Sequence, residues 1–374
     1  MFSAIDHLFM ARALRLAQRG LFTTTPNPRV GCVIARDGKI VSEGWHRRAG
    51  EAHAEVDALN SLNSLEAAGD TARGATAYVT LEPCSHHGRT PPCVGALIDA
   101  GVARVVAAMQ DPNPQVAGRG LAALTAAGIA TESGLMEAEA SELNVGFVSR
   151  MARGRPWVRL KLAASLDGKT ALKNGVSQWI TGPEARQDGH RWRARACAIL
   201  SGIGTVREDD PQLNVRGVAT ERQPLKIVVD ARLELPPEAR VLAGGHLLLV
   251  SAVADGAKAE VLRQRGAELL TLPDGTGRVD LAALMMELGR RGINELHVEG
   301  GRRLGGALMR AGLVDELLLF LAPCLIGDAA RGMFDWPELG SLDGKQRLSI
   351  SDLRLVGGDL RVLARIDRAI AARN

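Results

Sequence analysis

His53-Ala54-Glu55 and, further on, Pro83-Cys84-Ser85-His86-His87-Gly88-Arg89-Thr90-Pro91-Pro92-Cys93 are the stretches from which the rest of this chain is read. One imidazole and two thiolates are three zinc ligands, and zinc favours four tetrahedral positions, so a fourth stays open for water. Glu55 then need not bind metal. Its carboxylate is placed to take a proton from that water and return it to a leaving amine. The plain alternative, two buried thiols and a histidine at a helix start, leaves the co-occurrence of His, Glu and two Pro-flanked Cys unexplained. A zinc-stabilised binding module is a further alternative, but a closed structural site takes a fourth ligand and has no use for a general base.

Outward from these stretches the pattern alternates between helix and strand. Ile5, Leu8, Phe9 and Leu16 recur at helical spacing and predict a helix over 5–18. Strands over 30–35 and 40–43 flank Asp37-Gly38, a two-residue hairpin signal. A helix over 54–65, a strand over 77–81, a helix over 92–100, a strand over 104–109 and a helix over 137–151 follow, giving an α/β unit. Ala152-Arg153-Gly154-Arg155-Pro156 is a break, and the expected domains are 1–151 and 152–374. Beyond it the alternation resumes with a strand over 157–163, a helix over 183–195 and strands over 198–201, 225–229 and 246–251. A buried strand over 317–326 comes next, and a hairpin around Gly357-Gly358 closes the chain.

Composition limits the function classes. The 374 residues, 46 % hydrophobic and 24 % charged, are those of a globular chain with room for two cores. A net charge of +4 and few aromatic residues argue against nucleic acid as a partner. The longest apolar run is too short to span a membrane. Residues 1–14 carry Asp6 and His7 and lack a basic segment followed by an apolar one, so a cytoplasmic protein is expected. Five cysteines cannot all pair, and Cys32 is expected in the core.

The His-x-Glu and Pro-Cys pattern resembles the zinc deaminases, which place two residues between the cysteines where this chain has eight. With that longer insert, Pro-Cys-Ser-His-x-Gly-x-Thr-Pro-Pro-Cys, the sequence closely resembles the bifunctional deaminase/reductase family of riboflavin biosynthesis. The resemblance implies a cytidine-deaminase-like three-layer domain with one Zn2+ held by His53, Cys84 and Cys93 and with Glu55 catalytic. It also implies substrate contacts from Asn27, His46, His86 and Arg89, the last standing where relatives often carry lysine.

In the second half, Gly118-Arg119-Gly120-Leu121-Ala122-Ala123 is rejected as a dinucleotide fingerprint because no strand leads into it. Val298-Glu299-Gly300-Gly301 followed by Arg302-Arg303-Leu304-Gly305-Gly306 places glycines at a strand-to-helix junction, suited to phosphate. Together with Lys161 to Gly168, Ser177 to Thr181 and Gly204 to Arg216, this stretch resembles the reductase domain of the same family. That domain has a dihydrofolate-reductase-like fold and uses NADPH. By that resemblance Ala163, Trp179, Thr205, Asp209, Gly301, Arg302, Arg303, Leu304, Gly305, Gly306 and Ala307 contact the cofactor. Ser177, Arg193, Leu213, Arg216 and Glu299 contact the substrate, with Arg193 and Arg216 as clamps on its ribose phosphate. Lys161 and Asp167 are candidates to assist the reduction, and Arg232 to select NADPH over NADH.

The implied reaction is deamination of 2,5-diamino-6-(5-phosphoribosylamino)pyrimidin-4(3H)-one, then NADPH-dependent reduction of its ribosyl to a ribityl chain. A zinc-dependent nucleic-acid base deaminase is the alternative enzyme class, but it assigns no work to residues 157–374. A homodimer or higher homo-oligomer through the reductase half is expected, on family precedent and the apolar 313–326 stretch.

Overall fold

The computed structural model describes residues 1–63, 72–86, 91–114, 116–254 and 256–367. Arg89 lies outside these described residues. The chain divides into two compact units, Met1–Gly154 and Arg155–Asn374. The division falls inside the 152–156 break, because the last helix of the first unit runs on to Arg153 and is stopped by Gly154 at a φ of 69°.

In the first unit the elements run α1 (Ala4–Gln18), β1 (Gly31–Arg36), β2 (Lys39–Trp45), α2 (Ala54–Asn63), β3 (Thr76–Val79), α3 (Cys93–Asp99), β4 (Arg104–Ala107), α4 (Arg119–Ala126), β5 (Ala130–Ser133), α5 (Glu137–Leu143) and α6 (Val145–Arg153). Asp37 and Gly38 take φ of 52° and 73°, the paired left-handed geometry that joins β1 to β2 in a tight hairpin. The sheet order is β2-β1-β3-β4-β5, antiparallel through β3 and parallel beyond it.

Two glycines show why helices cover both faces. A Cβ on Gly31 would sit 2.1 Å from the Ala13 carbonyl oxygen of α1, and one on Gly44 2.3 Å from the Ala58 nitrogen of α2. Gly44 pairs with Cys32, the neighbour of Gly31, so the two glycines face opposite sides of the sheet. The unit is therefore three-layered, and Cys32 is fully buried in its core.

Asp6 binds the first helix to this sheet. Its carboxylate accepts Ser3 N and Ser3 Oγ at 2.8 Å in a capping box, Tyr78 Oη at 2.7 Å and Arg104 Nη1 at 2.8 Å. Burial opposes the charge, but the hydrogen bonds from Arg104, Ser3 and Tyr78 outweigh it and hold the carboxyl well below the usual range.

The second unit runs β6 (Trp157–Ser165), β7 (Lys169–Ala171), α7 (Pro183–Arg195), β8 (Ala198–Gly202), α8 (Ile203–Asp209), β9 (Leu225–Val229), β10 (Leu247–Ser251), α9 (Ala257–Gln264), β11 (Ala267–Thr271), α10 (Leu281–Arg290), β12 (Glu295–Val298), α11 (Arg302–Arg310), β13 (Glu316–Ala322), β14 (Arg331–Gly332), β15 (Leu348–Val356) and β16 (Asp359–Ile366). Nine strands pair in the order β11-β10-β9-β8-β12-β6-β13-β16-β15. They are parallel from β11 to β13 and are closed by the antiparallel β15–β16 hairpin. Continuous apolar strands such as Leu247–Ser251 suit parallel pairing covered on both faces.

One expectation is corrected. The strand expected over 317–326 is β13, which ends at Ala322 before Pro323, and Leu325 is exposed. Leu317, Leu318 and Phe320 are buried in the unit's own core.

Because the folded-state pKa of Asp6 is depressed, its stabilisation is present above the unfolded value of about 3.9 and is lost as pH falls below it. Asp6→Asn is expected to cost about 2 kcal/mol at pH 7 in denaturant unfolding. Its gap to wild type should narrow below about pH 4; a gap that does not depend on pH would contradict this assignment.

Candidate active sites

In the first unit three chain reversals bring the expected metal ligands together. His53 stands at the entrance to α2, Cys84 follows the exit from β3, and Cys93 is the first residue of α3, with Pro92 as its extended N-cap. His53 Nδ1 lies 3.5 Å from Cys84 Sγ and 3.3 Å from Cys93 Sγ, and all three donor atoms lie within 4.8 Å of one another. Ligands around tetrahedral zinc with bonds of about 2.1 and 2.3 Å stand about 3.6 Å apart, so this donor set fits zinc. Hydrogen bonds from Cys93 and His53 hold the Cys84 thiol well below its usual range despite burial. Glu55, one residue into α2, is buried beside them, and burial followed by the Cys84 charge raises its carboxyl pKa.

His46 and Asn27 flank this cluster. The His46 and His53 rings meet edge to face at 5.3 Å. His46 Nδ1 lies 2.9 Å from the Ala52 carbonyl oxygen and Nε2 lies 3.0 Å from Asn27 Nδ2. The carbonyl only accepts, so Nδ1 carries the proton, Nε2 accepts from the Asn27 amide, and the amide's orientation is set. Burial keeps His46 neutral by lowering its pKa. His86 is exposed two residues after Cys84.

Sequence reasoning missed the device that supports Cys84. Glu82 sends its carboxylate into the start of α4, accepting from Gly120 N at 2.8 Å, Gly118 N at 2.9 Å, Asp111 N at 3.1 Å and Leu121 N at 3.2 Å. The glycine-rich turn there is thus already filled by an anion from its own chain. A Cβ on Gly120 would fall 2.0 Å from the Pro83 carbonyl oxygen, so that glycine serves close packing against the residue before Cys84.

In the second unit a cavity of about 1520 Å³ opens at the C-terminal ends of the parallel strands. Ala163, Trp179, Thr205 and Asp209 line it, as do Gly301, Arg302, Arg303, Leu304 and Ala307. Ser177, Arg193, Leu213, Arg216 and Glu299 line it too. Trp179 is 70 % exposed with Arg186 stacked 4.5 Å from its ring, which rules out a core role. Thr205 Oγ1 accepts the Gly301 N–H at 3.0 Å, tying α8 to the start of α11. The guanidinium groups of Arg302 and Arg303 make no hydrogen bond or ion pair among the described residues.

Of the other expected residues, Arg193 lies in the lining and Gly305, Gly306, Asp167 and Arg232 lie outside it. Gly305 and Gly306 are not in the lining: the first packs on Leu160 and a Cβ on the second would meet the Asp335 carbonyl oxygen at 2.5 Å. Arg193 is engaged inside the protein, donating Nε at 2.5 Å and Nη2 at 2.7 Å to Glu299 and Nη1 at 2.9 Å to the Asn214 carbonyl. Of the two expected clamps this leaves exposed Arg216 with the freer guanidinium. Asp167 is outside the lining and accepts from Ser165 Oγ and from the Ile326 and Gly327 N–H groups. Arg232 is exposed and also outside the lining, whereas Arg278, which sequence reasoning did not find, is within it. Lys161 does line the cavity, and burial lowers its pKa.

Comparison with known proteins matches both units. The model of the cytidine and deoxycytidylate deaminase zinc-binding region covers residues 3–109, and that of the RibD C-terminal domain covers residues 156–360. Riboflavin biosynthesis protein RibD of Escherichia coli strain K12 is 51 % identical over 95 % of this chain and 98 % of its own length. The RibD of Haemophilus influenzae is 46 % identical over 96 % and 97 %. Among solved structures, Acinetobacter baumannii RibD has a TM-score of 0.90 at 40 % identity, covering 97 % of this chain and 99 % of that one. The Thermotoga maritima diaminohydroxyphosphoribosylaminopyrimidine deaminase/5-amino-6-(5-phosphoribosylamino)uracil reductase has a TM-score of 0.86 at 31 % identity, with coverage of 97 % and 99 %. Neither a nucleic-acid deaminase nor a zinc-stabilised binding module accounts for the match over the second unit. Among the described residues no helix is long and apolar enough to cross a membrane. The chain belongs to the RibD family of bifunctional riboflavin-biosynthesis enzymes, a zinc-binding deaminase domain followed by a reductase domain.

Proposed function

We propose that this chain deaminates 2,5-diamino-6-(5-phosphoribosylamino)pyrimidin-4(3H)-one and then reduces the ribosyl chain of the product to ribityl with NADPH. The observation that carries the reading is Glu55, a buried carboxylate with a raised pKa beside three converging zinc ligands. In this reading His53, Cys84 and Cys93 hold one zinc ion per chain, which supplies Lewis-acid activation of water when bound. Glu55 takes the proton and hands it to the leaving amine, and its low-polarity setting brings its pKa nearer the working pH. Asn27, held by His46, reads the pyrimidine edge with its amide, while His86 and Arg89 receive the substrate phosphate.

In the reductase unit NADPH supplies the hydride. The start of α11 with Arg302 and Arg303 receives its phosphates, and Trp179, Ala163, Thr205 and Asp209 flank it. Glu299, Ser177, Leu213 and Arg216 orient the ribosyl phosphate, and Lys161 stands next to them as the candidate to assist proton delivery. We further infer a cytoplasmic homodimer or higher homo-oligomer. Exposed Ile350, Leu353 and Leu355 on the outer strand β15 support an interface in the reductase half, with exposed Leu325 of the 313–326 stretch as a further apolar residue.

Glu55→Gln is expected to retain zinc, measured as metal content, and to lower ammonia release by about two to four orders of magnitude. Retained deamination would sink the assigned role. Arg302→Ala combined with Arg303→Ala should raise the Kd for NADPH, titrated by fluorescence, by about tenfold or more; an unchanged Kd would remove these side chains from the cofactor site.

A further inference from the structure

Behind Glu299 on the same strand-to-loop segment stands His297, a residue of β12 that is fully buried and does not reach the cavity lining. Its Nε2 lies 3.1 Å from Glu299 Oε1, and its Nδ1 is buried with no hydrogen-bond partner among the described residues. The ring therefore makes one polar contact, and it is to a carboxylate. Although burial opposes it, the Glu299 carboxylate is kept charged by Arg193, then His297 and Lys161. A charged carboxylate only accepts, so Nε2 carries the proton and Nδ1 is an unpaired lone pair. Burial, with Arg159 and Arg193 close by, keeps the ring neutral.

This histidine costs stability where it stands. Its neighbours Leu296 and Val298 are fully buried, and an apolar side chain at 297 would leave no unpaired nitrogen in the sheet. What it supplies is direction. A carboxylate offers about two acceptor sites on each oxygen. Arg193 takes one site on each oxygen and His297 takes a second on Oε1, which leaves Oε2 with the open site.

We propose that His297 is a positioning residue for the reduction, fixing Glu299 so that Oε2 is the oxygen open to a hydroxyl of the ribosyl chain. This rests on the reading of Glu299 as a substrate contact. His297 donates, Arg193 clamps, and the substrate hydroxyl meets a carboxylate that cannot rotate.

The test uses the full chain with four variants, measuring KM and kcat for the deaminated ribosyl-phosphate substrate and, separately, the Kd for NADPH without substrate. His297→Leu should raise KM by about tenfold with little change in kcat, the pattern of lost ground-state orientation. NADPH binding should stay within about twofold, which reports an intact cavity. His297→Gln carries an amide N–H at the reach of Nε2 and should return KM to within about threefold of wild type, whereas His297→Asn stops at the reach of Nδ1 and should not. An unchanged KM in His297→Leu, or equal losses in the Gln and Asn variants, would overturn the proposal. If His297→Leu does not fold, the Gln and Asn pair carries the comparison. Glu299→Gln separates the two readings: no change in its KM removes Glu299 as a substrate contact, while a raised KM there with normal KM in the His297 variants removes the positioning role alone.

Discussion

Arg159, 2 % exposed in the middle of a nine-stranded sheet, donates Nη1 at 3.0 Å to Glu295 and Nε at 2.5 Å to Glu316. These carboxylates belong to the two strands that flank its own, β12 and β13. Arg195 adds a second cation on Glu295 at 2.7 Å, and the Trp192 ring lies 4.5 Å from the Arg159 guanidinium carbon. An unpaired charge at this depth costs several kcal/mol, so the pairing acts chiefly on register. A slip of one residue would turn Arg159 to the opposite face, stranding it and Glu316 and leaving Glu295 to Arg195 alone. The register so fixed decides which residues reach the ends of the strands: Lys161 and Ala163 on β6, Phe320 on β13 and Glu299 just past β12 all face the cavity. The arrangement of the reductase site is thus set by an interaction on the same face of the sheet, nearer the N-terminal ends of the strands.

The deaminase unit uses backbone groups to the same end. Zinc ligands must be held to within tenths of an ångström, yet Cys84 sits on a loop. Glu82 takes up four N–H groups around the start of α4, and Gly120 packs against the Pro83 carbonyl, so the residues before Cys84 are clamped from behind. Asp6 does comparable work at the other end of the unit, joining the α1 cap to β3 through Tyr78 and to β4 through Arg104.

What the sequence made legible is what local chemistry encodes. Asp37-Gly38, Pro183 at the start of α7 and Gly357-Gly358 before β16 speak through backbone preferences of the residues themselves. His53, Cys84 and Cys93 speak through donor type, and their convergence needs no knowledge of the rest of the sheet. What the sequence left illegible are contacts with residues distant along the chain. Arg193 is held by Glu299, Asp167 by the 326–327 backbone, and Gly306 by Asp335. Helical periodicity does not separate the last of these from its neighbours: Gly305 and Gly306 stand three and four residues after Arg302, on its side of α11, yet both are buried while Arg302 lines the cavity.

The central claim is that one chain carries two reactions in a fixed order. It is tested most directly by incubating the zinc-replete protein with the diaminopyrimidine ribosyl phosphate, following ammonia release with and without NADPH and NADPH oxidation in parallel. The account predicts ammonia without NADPH, and NADPH oxidation only after deamination. NADPH oxidation that precedes ammonia release, or ammonia with no NADPH oxidation at all, would contradict it.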